Sequence, residues 1–95
     1  MFCTLWVNIL HHAAREPVFG QGIIEELGRH GYKLSAGTLY PLLHAMEQKG
    51  YLRSYQERNG RASRRVYRAT AQGRRALERA KGKVRELFGE LFEEV

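Results

Sequence analysis

Cysteine is almost absent from this chain. Cys3 stands alone, so no disulfide can close within it, which fits a reducing compartment and points to the cytoplasm. Proline is nearly as scarce, with only Pro17 and Pro41. No apolar run approaches the roughly 20 residues that span a bilayer. The opening "MFCTLWVNILHHAA" has no positively charged region ahead of its apolar part, so neither a membrane partner nor a signal peptide is expected. Missing too are a Ser/His/Asp or Cys/His arrangement with supporting context, paired carboxylates in a plausible cleft and a Gly-rich phosphate loop, so no catalysis and no cofactor are expected. Cys3 with one of the four histidines, His11, His12, His30 and His44, has ligand chemistry suited to zinc-like ions. No ligand spacing supports such a site, and no metal is expected. Repeats, low-complexity tracts and linkers are also lacking, so the 95 residues read as one compact unit.

Acidic residues are missing from one stretch in particular. Between Arg53 and Arg75 stand eight arginines and no lysine, opposed only by Glu57, a local charge of +7. The whole chain carries +6, so the other 72 positions sum to −1. Charge concentrated in one segment and made of arginine points to phosphate as a partner.

The helical and strand periods divide the chain cleanly. A first helix is predicted from Phe2 to Arg15, with Leu5, Trp6, Ile9, Leu10 and Ala13 at helical spacing. "REPVFGQG" then breaks it, since Pro17 disfavours helical geometry at Glu16. A second helix over roughly Gly20 to His30 carries Ile23, Ile24 and Leu27, with Gly31 suited to a left-handed closing position. Ser35 can cap a third helix that runs to Gly50, although Pro41 leaves Thr38 open as the start. "YLRSYQE" and "SRRVYRA" then alternate like strands, and Asn59-Gly60 between them predicts a type I′ hairpin turn. Thr70 can cap a long last helix whose start Gly73 weakens. Its stripe of Ala76, Leu77, Ala80, Val84, Leu87, Phe88, Leu91, Phe92 and Val95 reaches the last residue.

Three helices, a hairpin and a helix is the order of a winged helix-turn-helix. The fold class is therefore mainly α with a small β-hairpin. A winged helix-turn-helix is expected over residues 1–69, followed by a long C-terminal dimerisation helix over 70–95. The third helix, "SAGTLYPLLHAMEQKGYL", is oddly built, with Gly37 and Pro41 on the side opposite Leu39, Leu42, Leu43 and Met46. A helix that meets the core on one side and a duplex on the other needs little bulk where it approaches DNA. Thr38, Tyr40, Pro41, His44 and Gln48 lie on that second side. The Ser35 and Thr38 hydroxyls and the first helical amides suit phosphate, and His44 suits base edges. Gln48 reads equally as a solvent-facing residue. In the wing, Arg61, Arg64 and Arg65 flank the turn and can reach phosphates or an adjacent groove. Arg68 and Arg74, farther along, can instead pair with acids of the helices.

"LSAGTLYPLLHAMEQKGYL" followed by "GRASRRVYRATAQGRRAL" resembles the PadR-type transcriptional regulators. Their hallmark is a Ser-Pro-Gly-Thr-Leu-Tyr-Pro block, here Ser35 to Pro41. A basic wing strand then runs into the next helix, here Arg64 to Gly73. Ala36 departs from the usual proline. The short stretch after Arg75 resembles the subfamily with a single C-terminal helix. The resemblance implies a homodimeric repressor on a palindromic double-stranded operator, released by a small effector, with Tyr40 on the DNA backbone.

It also implies dimerisation through the first and last helices. That assigns Leu5, Trp6, Ile9, Val84, Leu87, Phe88, Leu91 and Phe92 to the interface. The stripe independently looks too wide for a helix that packs only on a small domain. In short members of the family, interface aromatics line a pore for flat hydrophobic compounds, and Trp6, Phe88 and Phe92 are the candidates here. A tryptophan that simply fills the interface is the competing reading. Two other functions compete with DNA binding: a winged-helix protein–protein interaction module, and a metal or hydrophobic-ligand sensor whose DNA role is secondary.

Overall fold

The computed structural model describes residues 2–92. Helix α1 (Phe2–Arg15), strand β1 (Val18–Phe19), helices α2 (Gly20–Arg29) and α3 (Ala36–Gln48), strands β2 (Leu52–Asn59) and β3 (Ala62–Ala69), and helix α4 (Ala71–Phe92) follow in that order. The three strands form one antiparallel sheet in the order β1-β3-β2. This is a winged helix-turn-helix with a long C-terminal helix. Val95, the last residue of the expected stripe, lies outside the described residues.

Local chemistry sets the helix ends. Ser35 Oγ accepts from Thr38 N–H at 3.3 Å, which places the start of α3 at Ala36 and not at Thr38. Pro41 is therefore inside α3, six residues in. It leaves the Gly37 carbonyl without its usual N–H donor one turn later. Both α2 and α3 close with the same paired motif. Tyr32 N–H bonds the Leu27 carbonyl and Gly31 N–H that of Gly28; Tyr51 N–H bonds Met46 and Gly50 N–H bonds Glu47. Gly31 and Gly50 stand at φ of +90° and +86°, the left-handed conformation that this closure requires.

The sheet corrects two readings. "REPVFGQG" does more than break a helix, because Val18 and Phe19 form β1, paired with Tyr67 and Val66 of β3. The hairpin turn also sits one residue later than the Asn59-Gly60 dipeptide suggests. Asn59 is the last paired residue, opposite Ala62, leaving Gly60 and Arg61 in the turn. Gly60 has a φ of +68° and Arg61 does not share it, the pattern of a II′ turn with glycine in first place.

The core gathers α1, α2 and α3 over the sheet root and the first turns of α4. Ile9, Leu10, Leu27, Leu39 and Leu43 are fully buried, and truncating any of them to alanine carries a typical core penalty of about 2–5 kcal/mol. Leu5 and Ile9, expected at an interface between chains, are instead 8% and 1% exposed within this one. An apolar stripe fixes which side of a helix is buried, not what buries it. On α4 only Gly73, Ala76 and Leu77 are buried. The rest of the helix projects, giving extents of 60 × 28 × 20 Å. The stripe therefore does not complete the core of a single chain.

The root of α4 is fastened with little slack. Thr70 Oγ1 accepts from Gly73 N–H at 2.9 Å and donates to the Gly50 carbonyl. Thr70 N–H bonds the Tyr51 carbonyl at 3.0 Å. A Cβ on Gly73 would stand 2.1 Å from that same oxygen. The glycine read as a weak helix start is what allows the helix to dock.

Candidate nucleic-acid interface

The free side of α3 presents Gly37, Thr38, Tyr40, Pro41, His44 and Gln48, all exposed. Ser35 and Thr38 are tied together at the helix start, their hydroxyls 3.3 Å apart. Tyr40 is 46% exposed yet firmly seated. A Cβ on Gly20 would meet its hydroxyl at 2.2 Å, so the phenol rests on the bare first residue of α2. The residue before α2, Phe19, supplies no side-chain cap. The amide end of α2 therefore receives no cap from the residue before it, and its first residue packs against the Tyr40 ring.

The wing separates arginines that look equivalent in sequence. Alternation along β3 puts Ser63, Arg65 and Tyr67 on one face and Arg64, Val66 and Arg68 on the other. Ser54, Gln56 and Arg58 of β2 share the first face. That face adjoins α3: Tyr40, His44, Glu47, Ser54, Arg65 and Tyr67 line a common groove. Within it Ser54 Oγ donates to Glu47 Oε2 at 2.7 Å and Ser54 N–H to the same oxygen at 3.2 Å. Arg65 Nη1 donates to Ser54 Oγ at 2.9 Å. Burial raises the Tyr67 hydroxyl above its usual pKa, opposed by Arg65 and reinforced by Glu47.

Arg64 is engaged elsewhere. Its guanidinium meets Glu57 Oε1 through Nη2 at 3.1 Å and Nε at 3.2 Å. Its carbon centre lies 3.9 Å from the centroid of the Phe19 ring. One edge of its fork and one of its planar faces are thus occupied, on the side of the wing away from α3. Arg61 sits at the exposed tip. Among the described residues, no acid pairs with Arg58, Arg61 or Arg65, nor with Arg68 or Arg74, for which pairing was an open reading. The one acid of the basic segment is taken by Arg64, so the remaining wing charge is unneutralised. Sequence reasoning passed over Arg58, although its parity with Arg65 was readable. It also passed over Glu47 and Ser54, whose meeting depends on the α3–β2 corner and left no periodic trace.

Expected interface residues divide in the same way. Val84, Leu87, Phe88, Leu91 and Phe92 form an exposed row, 55% to 67% accessible. The Phe88 and Phe92 rings lie 4.5 Å apart. Trp6 stacks on Tyr51 at 6.0 Å, beside the root of α4. Phe88 is 15 residues beyond Gly73, about 22 Å along the helix axis. One chain therefore does not bring Trp6, Phe88 and Phe92 into a single cluster. Among the described residues, no group of His, Cys, Asp and Glu is placed to hold a metal ion. No helix among them is long and apolar enough to cross a membrane.

The helix-turn-helix, the sheet-rooted wing and the long last helix define a winged-helix protein. Residues 9–79 match the family of PadR-like transcriptional regulators. The chain is 48% identical over 86 residues to the transcriptional regulator Rv3488 of Mycobacterium tuberculosis, covering 90% of this chain and 80% of that one. A PadR family regulator from Eggerthella lenta superposes with a TM-score of 0.80 at 34% identity, over 97% of this chain and 84% of the other. A PadR-like regulator from Bacillus cereus gives a TM-score of 0.78 at 26% identity, over 96% and 93%. The protein belongs to the PadR-like family of transcriptional regulators.

Proposed function

We propose that this regulator is a homodimeric repressor that binds a palindromic double-stranded operator and is released by a small hydrophobic or aromatic effector. One observation carries the DNA reading: the bare side of α3 and the wing face that holds Arg58 and Arg65, neither of them paired with an acid, meet along one groove. In this reading α3 enters the major groove, where His44 meets base edges. Ser35, Thr38, Tyr40 and the first amides of α2 hold phosphates. Pro41 keeps the helix slim at closest approach. Arg58, Arg61 and Arg65 flank the groove, and Arg64 stiffens the wing from behind.

The exposed row on α4 supports the dimer, since a contiguous apolar patch of this kind favours a partner surface. Its aromatic end, met by Trp6 of the partner chain, would form the effector pocket. An effector there changes the angle between the two chains and with it the distance between recognition helices.

The deciding experiment is fluorescence anisotropy on the DNA upstream of the gene and on a scrambled duplex, at several salt concentrations. Tight selective binding should weaken with salt, and the double variant Arg58→Ala/Arg61→Ala should lower the slope by about 0.9 for each phosphate no longer neutralised. Arg64→Ala should change that slope least. Equal weak binding to both duplexes, unmoved by salt, would sink the DNA reading and favour the protein-interaction module.

A further inference from the structure

Glu47 is out of place by charge. It lies in the groove between α3 and the wing, among residues read above as facing phosphate, where a carboxylate weakens DNA binding by simple repulsion. Its contacts explain its presence. One oxygen, Oε2, receives both the backbone N–H and the hydroxyl of Ser54, at 3.2 and 2.7 Å. With its proton directed at Glu47, the Ser54 hydroxyl turns a lone pair outward, and Arg65 Nη1 donates to that oxygen at 2.9 Å. Arg65 approaches the hydroxyl and forms no direct ion pair with the carboxylate. Three residues from α3, β2 and β3 thus make one directed chain. A long exposed side chain loses rotamer freedom when it grips a phosphate, and a guanidinium already held in place loses less.

We infer that Glu47, acting through Ser54, is a positioning residue that holds the Arg65 guanidinium ready for a DNA phosphate at the junction of recognition helix and wing. This rests on the DNA reading proposed above and adds to it two residues that never touch the duplex. It makes a prediction opposite in sign to electrostatics. Removing a negative charge from a DNA-binding face should tighten binding, whereas Glu47→Gln should weaken it.

The test compares the full chain with Arg65→Ala, Glu47→Gln, Ser54→Ala, Ser54→Thr and the double variant Glu47→Gln/Arg65→Ala, by anisotropy on the upstream duplex. Thermal unfolding of each variant provides the folding control. Arg65→Ala should lose about tenfold in affinity, the scale of one charge-assisted hydrogen bond. Glu47→Gln and Ser54→Ala should each lose a few-fold, Ser54→Thr should stay near native, and Glu47→Gln should cost nothing further on top of Arg65→Ala. Ser54→Ala keeps the backbone bond to Glu47, so it decides the matter if Glu47→Gln proves unstable. Native or tighter binding by a folded Glu47→Gln, or by Ser54→Ala, would overturn the inference. Failure of the DNA reading looks different: Arg65→Ala and Arg58→Ala/Arg61→Ala would then both bind as the native chain does.

Discussion

At the scale of single residues, adjacent positions carry opposite duties. Arg64 and Arg65 are identical letters one step apart, yet one braces the wing against Phe19 and Glu57 while the other faces α3. Alternation makes their separation readable; which of the two faces the helix depends on how the hairpin folds back. His11 shows a similar dependence on surroundings. Burial, then repulsion from His12, Arg15 and Lys81, holds its pKa below the ordinary 6.5. A histidine so lowered binds its proton more readily when the chain unfolds. Stability is then fully present above pH 6.5 and falls as the pH drops from there toward the folded-state value. His11→Asn should flatten that acid limb, measured by urea denaturation from pH 7 down to about pH 5. An unchanged slope would mean that other groups set the acid response.

At the scale of elements, glycines with the same letter have unlike roles. Gly73 presses on the Tyr51 carbonyl, whereas a Cβ on Gly82 would meet nothing within 4 Å. Gly73→Ala should lose about 2–3 kcal/mol, because the obstacle is backbone and cannot swing aside. Gly82→Ala should gain up to about 1 kcal/mol from helix propensity. Chemical denaturation of the two variants checks both signs. The same contrast marks what could be read beforehand. Four helices, their caps at Ser35 and Thr70 and the hairpin were legible, because spacing and capping chemistry lie within a few residues. Strand β1 was not: it is two residues long and exists through pairing with Val66 and Tyr67, far along the chain. The turn was displaced for a related reason. Pairing of Leu52 with Ala69 and Ser54 with Tyr67 fixes the register from the sheet root, and the turn takes the residues left over.

At the scale of the whole molecule, the proposed dimer rests on the exposed row on α4. Leu87→Glu or Leu91→Glu should give a monomer in sedimentation equilibrium and weaken operator binding, since two linked half-site contacts become independent. The fold of each chain should survive, as both residues stand outside its core. An unchanged dimer would move the interface off this row. The row was legible as a stripe, and its excess over the needs of a small core was legible too. That Leu5 and Ile9 are buried in this chain's own core was not, because both ends of an interface and both sides of a core are written in the same apolar residues.

The docking of Gly73 on Tyr51 has a mechanical meaning. Backbone rests on backbone there, with no side chain to act as a cushion, so the joint is a stiff pivot carrying a beam. From Gly73 to Phe92 the beam measures about 28 Å, and a tilt of about 5° at the pivot sweeps its far end through roughly 2.5 Å. The proportion also works in reverse. A wedge of about one atomic diameter at the tip is geared down to a rotation of a few degrees at the root, where α4 meets the corner joining α3 to the wing.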